Sequence, residues 1–152
     1  MKVHQISVFL ENEPGQLIRH CRMLAHAGIN IQTLSVADAE QFGILRMIVS
    51  DWQKAVSLLK AAGCVVNVTE VIAVEVPDRP GGLVRILEIF EGGEINIEYM
   101  YSFAYGRQDQ AALIFRFDQP DEAIAKLQAS GINVLDSVDV YRGKIEFARP
   151  DG

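Results

Sequence analysis

The residues best equipped for chemistry lie in two short polar loops, Asn12-Glu13-Pro14-Gly15-Gln16-Leu17 and Asp78-Arg79-Pro80-Gly81-Gly82-Leu83. Each loop leads into a helix-like segment. Proline presets φ at a helix start, and the glycine after it keeps no side chain between a ligand and the backbone. The first-turn N–H groups of a helix have no internal acceptor and lie at the positive end of its dipole. A carboxylate is well received there. Asn30 and Asn96, each followed by an apolar residue (Ile31 and Ile97) at the head of a strand-like run, offer amide donors and an acceptor. Asn12 and Asp78 sit two residues before the prolines, at the lip of each loop. The same residues admit structural roles: Asn12 and Asp78 as helix caps, Pro-Gly as a turn, Asn30 and Asn96 as ties at a strand entrance.

Other reactive residue types form no recognisable pattern. Cys21 and Cys64 lie 43 positions apart without a CxxC spacing, and read as small buried hydrophobes. His4, His20 and His26 fit no metal-ligand spacing and combine with no nucleophile into a catalytic set. Catalysis, metal binding and a cofactor are therefore not expected.

The elements that position the loops come from an internal repeat. A shift of 66 residues lays Ile6 on Ile72, Pro14-Gly15 on Pro80-Gly81, Arg19 on Arg85 and Ile29-Asn30-Ile31 on Ile95-Asn96-Ile97. With two extra residues in the second copy, Leu59, Gly63 and Val66 meet Leu127, Gly131 and Val134. Val3 to Leu10 reads as a strand. Leu17, Ile18, Cys21, Leu24 and Ala25 mark one face of a helix that Gly28 stops. Asn30 to Ala37 and Ile44 to Ser50 follow as strands around a turn at Glu40 to Gly43. Ala55, Val56, Leu59 and Ala62 mark a second helix, and Cys64 to Val68 a closing strand. The second copy repeats this order, with Leu83, Val84, Leu87 and Phe90 on its first helix and Val134 to Val140 as its last strand.

The order β-α-β-β-α-β, twice over, predicts an α+β protein: two tandem ferredoxin-like domains, 1–68 and 69–152, with abutting antiparallel sheets. Tyr99, Tyr101 and Phe103 alternate along one strand and suit sheet packing or a dimer contact better than a ligand cage. Trp52 reads as a packing residue.

Composition bounds the function. The chain is 49% hydrophobic and 22% charged with a net charge of −6, ordinary for a globular protein. Residues 1–66 carry 6 basic against 5 acidic side chains and the remainder 8 against 15, which disfavours nucleic acid as a partner. No run approaches a membrane span, no secretory signal opens the sequence, and a cytoplasmic protein is expected.

The segment Val76-Pro77-Asp78-Arg79-Pro80-Gly81-Gly82-Leu83 with Glu94-Ile95-Asn96-Ile97 resembles the ACT domain signature. Leu10-Glu11-Asn12-Glu13-Pro14-Gly15-Gln16-Leu17 with Ala27-Gly28-Ile29-Asn30-Ile31 repeats it, so the resemblance covers about residues 3 to 141. It implies domains that pair side by side and bind an amino acid at the pair interface, with a polar side chain at the Asn12 or Asp78 position touching the ligand. It also implies a regulatory module rather than an enzyme, and a partner enzyme of amino-acid metabolism; a homodimer is expected because free sheet faces and edges tend to be covered. On that pattern Asn12, Pro14, Gly15, Gln16 and Leu17 face Asn96 and Ile97, while Asp78, Pro80, Gly81, Gly82 and Leu83 face Asn30 and Ile31. The two half-sites differ: Asp78 is charged where Asn12 is neutral, and Gly81-Gly82 leaves more room than Gly15-Gln16. A non-sensing adaptor whose sheet face binds an enzyme is the alternative.

Overall fold

The computed structural model describes residues 1–103 and 109–143; the tail of the expected second domain lies outside these residues. In chain order the elements are β1 (Val3–Glu11), α1 (Gln16–His26), β2 (Ile31–Ala39), β3 (Phe42–Val49), α2 (Trp52–Ala61) and β4 (Val66–Pro77). They continue with α3 (Gly82–Phe90), β5 (Ile97–Ser102), β6 (Gln110–Phe117), α4 (Pro120–Ala129) and α5 (Ser137–Arg142). The chain divides into two compact units, His4–Thr69 and the residues from Glu70 onward together with Met1–Val3.

In the first unit β1 and β2 each pair antiparallel with β3, with Ile6 opposite Met47 and Leu34 opposite Met47 on its other side. The chain returns after α2 to lie beside β1, where the Phe9 N–H donates to the Val65 carbonyl at 3.2 Å. Ile6, Val8, Leu10, Leu45, Met47 and Val49 point from the strands into one core with Leu24 and Leu59 from the helices. Alternation along β1 directs Ile6, Val8 and Leu10 to that core and leaves Phe9 on the other face, 43% exposed. Trp52, at the start of α2, packs against this core and stacks on His4 with ring centroids 4.4 Å apart.

The second unit repeats the plan. β4 and β5 pair antiparallel with β6, and Ile72, Val74, Phe115 and Phe117 meet Ile86, Phe90 and Leu127 in its core. The duplication extends to single hydrogen bonds. The Glu75 N–H donates to the Asn133 carbonyl at 3.0 Å, the counterpart of Phe9 with Val65. A β-bulge opens β2 between Ile31 and Thr33, and another opens β5 between Ile97 and Tyr99.

Three sequence expectations change. The β2–β3 turn is shorter than read: only Glu40 and Gln41 lie outside the ladder, because Phe42 and Gly43 already pair in β3. The closing strand read at Cys64 to Val68 starts at Val66 and runs on without a break to Pro77. The expected last strand, Val134 to Val140, is a single bridge from Val134 to Val74, after which the chain turns into α5. Asp136 caps that helix by accepting the Val138 N–H at 2.8 Å, and Val140 is its buried anchor. Alternating Val138 and Val140 mimic a strand, but the capping chemistry at Asp136-Ser137 prevails.

Candidate functional site

Both Pro-Gly loops fold as the same type II turn. Gly15 has φ 88° and ψ −9°, and Gly81 has φ 85° and ψ −6°. The left-handed third position of such a turn favours glycine, and proline suits the position before it. The Gln16 N–H closes the first turn onto the Glu13 carbonyl at 3.4 Å, and the Gly82 N–H closes the second onto Arg79 at 3.0 Å. Pro14 and Pro80 therefore precede the helix caps instead of occupying the first helical position. No side chain caps either helix. The next amides, on Leu17 and Ile18 and on Leu83 and Val84, lie in the first helical turn, where no intrahelical acceptor exists.

Asn12 and Asp78 are not helix caps. The Asn12 N–H donates to the Gln41 carbonyl at 3.0 Å, and its side-chain Nδ2 donates to the Glu40 carbonyl at 3.2 Å. Asn12 thus pins the loop to the β2–β3 turn. Glu40 there adopts φ 55°, the one positive value outside glycine among the described residues. The Asp78 N–H makes the corresponding bond to the Asp109 carbonyl at 3.0 Å, and its carboxylate is exposed.

The glycines do different work from that expected. A Cβ on Gly15 or Gly81 meets nothing within 4 Å, so these two are set by their backbone angles. A Cβ on Gly82 collides with the Pro77 carbonyl oxygen. The room that Gly82 provides is filled by the chain's own backbone and is not ligand space.

The strand-entrance asparagines divide their roles. The Asn30 N–H donates to Ser50 Oγ at 3.0 Å, and its Nδ2 donates to Gln32 Oε1 at 3.1 Å. The Asn96 N–H donates to Asp118 Oδ1 at 2.8 Å, and Asn96 borders a cavity of about 500 Å³. Val84, Leu87, Glu88 and Glu91 of one helical stripe join Asn96 and Ile97 around that cavity. None of Asp78 to Leu83 lines it. In the first unit Asn12 lies in a recess of about 480 Å³ bordered by Glu11, Glu13 and Glu40. None of these three carboxylates joins an ion pair among the described residues. The recess suits an ammonium group, whereas the nearby helix start suits a carboxylate.

The sequence reading missed the stripe because it placed Leu83, Val84 and Leu87 on the buried face of α3. They are 37%, 53% and 38% exposed, and Ile86 and Phe90 anchor the helix instead. Leu17 and Ile18 of α1 are likewise 42% and 55% exposed, with His20 and Leu24 turned inward. The spacing of 84, 87, 88 and 91, mixing apolar and acidic residues on one helical face, is the signal that could have found the stripe.

Comparison with known proteins agrees with this geometry. The crystal structure of protein BT0572 from Bacteroides thetaiotaomicron superposes with a TM-score of 0.87 at 37% identity, covering 93% of this chain and 97% of that one. The ligand-free regulatory subunit of aspartate kinase from Thermus thermophilus gives 0.61 at 16% identity, over 84% and 89%. Its counterpart from Thermus flavus gives 0.62 at 17%, over 86% and 92%. At these lower identities the likeness concerns the fold. No curated protein matches the sequence. The family model described as an ACT domain pair matches residues 1–141, so the duplicated fold and duplicated loops belong together: the chain is a member of the ACT domain pair family.

Proposed function

We propose that the chain is a regulatory, non-catalytic module that binds a free amino acid at its Pro-Gly loops. One observation carries this reading: the same type II turn, built twice, leaves two helix starts without a side-chain cap. The amides of Leu17 and Ile18 in one copy, and of Leu83 and Val84 in the other, receive the carboxylate, while Gly15, Gln16, Gly81 and Gly82 shape the turns that present them. The acidic recess at Asn12 takes the ammonium group in the first copy; Asp78 does so in the second. Asn30, Ile31, Asn96 and Ile97 complete the sites, and Pro14 and Pro80 fix the turns. The loops differ in charge, Glu11-Asn12-Glu13 against Pro77-Asp78-Arg79, so the two affinities differ. The regulated partner is an enzyme of amino-acid metabolism, in keeping with the aspartate kinase regulatory subunits that share the fold. The exposed apolar side chains of α1 and α3 support a homodimer.

A thermal-shift screen of the common amino acids tests the reading. A ligand present at 100 times its Kd stabilises by about 2.7 kcal/mol, which raises the Tm by roughly 5–10 °C for a chain of this size. Asn12→Ala and Asp78→Ala each remove one class of site in titration calorimetry. The absence of any shift across the amino acids refutes sensing and leaves the adaptor reading.

A further inference from the structure

Two packing positions, residues 20 and 64 in the first copy and 86 and 132 in the second, show what the duplicated fold requires. In the second unit Ile86 and Ile132 occupy them as apolar members of the core. In the first unit the matching residues are His20 and Cys64. Packing alone is thus satisfied by two isoleucines, and the first copy instead buries an imidazole, a group that costs free energy to bury unless hydrogen-bonded.

Its bonds define its chemistry. His20 is 4% exposed, and its Nδ1 lies 2.6 Å from the Gln16 carbonyl oxygen. A carbonyl only accepts, so Nδ1 carries the proton and Nε2 is left as the acceptor. Cys64 Sγ lies 3.4 Å from that Nε2, and its S–H donates to it. Nucleophile and base are therefore brought together across 44 residues of sequence, with the Gln16 carbonyl orienting the base, which is why no local motif announces them. Cys64 is only partly buried, and it opens with Gln16 and His20 onto a cavity of about 300 Å³. Phe42 supplies an apolar wall, while Arg19 and Glu11 bring opposite charges to the lining.

We propose that Cys64 and His20 form a thiol-exchange site for small disulfides that carry carboxylate and ammonium groups. As Cys64 Sγ attacks one sulfur of the disulfide, its proton passes to His20 Nε2. The S–S bond breaks, and the departing half leaves as a thiolate that takes the proton back from His20. The products are a mixed disulfide on Cys64 and one free thiol; the small disulfide is the oxidant, and nothing else is consumed. Arg19 pairs with the carboxylate of the incoming molecule and Glu11 with its ammonium. The site belongs to the first copy alone; it shares Glu11 and Gln16 with the neighbouring Pro-Gly loop, but the Cys64–His20 exchange is read from adduct mass whether or not that loop binds an amino acid.

The test uses the full chain with one thiol at a time, Cys21→Ser to leave Cys64 and Cys64→Ser to leave Cys21. Each is exposed to L-cystine or to uncharged 2-hydroxyethyl disulfide, and adducts are followed by intact mass. Cys64 is expected to react about 100-fold faster than Cys21, the lower end of what a positioned general base contributes. His20→Ile, which copies the second unit's own solution, abolishes that advantage while far-UV circular dichroism shows the fold retained. Arg19→Gln slows L-cystine but not 2-hydroxyethyl disulfide. Comparable rates at the two cysteines overturn the proposal without any change at His20, and so does an unchanged Cys64 rate in His20→Ile. Equal slowing of both probes by Arg19→Gln overturns the assigned substrate class.

Discussion

Gly82→Ala places a methyl group where the end of β4 already runs. The new Cβ comes closer than 3.0 Å to the Pro77 carbonyl oxygen, 3.2 Å from the Pro77 carbonyl carbon and 3.4 Å from Val76 Cγ2. Neither side can retreat cheaply. Val76 and Pro77 are paired with Ala111 and Gln110, the Asp78 N–H is bonded to Asp109 at 3.0 Å, and α3 is anchored by Ile86 and Phe90. Forcing the methyl in costs about 1–3 kcal/mol of overpacking. Distorting one or two turn hydrogen bonds adds roughly 0.5–1.5 kcal/mol each. Alanine returns up to about 1 kcal/mol over glycine in a helix. The expected net loss is about 2–4 kcal/mol. Gly81→Ala is the control: nothing crowds its Cβ, so it pays only for φ 85°. That penalty is about 1–2 kcal/mol, partly offset by about 0.4–1 kcal/mol of unfolded-chain entropy. Urea melts read by far-UV circular dichroism should rank Gly82→Ala well below Gly81→Ala. Trp52, the single tryptophan, reports on the first unit and should move little. Gly82→Ala as stable as Gly81→Ala, or a loss reported by Trp52 alone, refutes the steric argument.

Two further outcomes are expected. Glu40→Gly relieves the left-handed backbone at φ 55° while keeping the carbonyl that accepts from Asn12, so stability rises by about 0.5–1 kcal/mol in urea melts. Lys2 Nζ bonds Glu70 at 3.1 Å and Asp121 at 3.2 Å, and these hydrogen bonds raise its pKa above 10.5. The native state thus holds the proton more tightly than the unfolded chain. The stability difference between the wild type and Lys2→Met is therefore constant at neutral and mildly alkaline pH, shrinks only as pH rises through that elevated value, and falls with added salt. A difference that grows with pH contradicts the assignment.

Much of this molecule is written locally. Pro14-Gly15 and Pro80-Gly81 encode type II turns, since proline and glycine angles need no tertiary help. The helices that Gly28 and Gly63 stop, and the alternation of Ile6, Val8 and Leu10, are local periodicities as well. Laid out twice, they were enough to read the β-α-β-β-α-β order and both candidate loops.

Tertiary structure decided what periodicity leaves ambiguous. Leu17, Ile18, Leu83, Val84 and Leu87 form apolar stripes as regular as any core face, yet the strands contact the neighbouring face through Leu24, Ile86 and Phe90. Only the docking of each helix on its sheet selects between two faces a fraction of a turn apart. Gly82 reads as ligand room until β4 is seen to fill it, because the Pro77 carbonyl reaches it only when strand, turn and helix close together. His20 and Cys64 lie 44 residues apart and meet because the chain leaves α2 past the inner side of α1. Turn angles and periodicity are properties of neighbouring residues, and the sequence alone determines them. Which surfaces are buried, and which reactive atoms touch, are properties of chain closure, and only the folded molecule contains them.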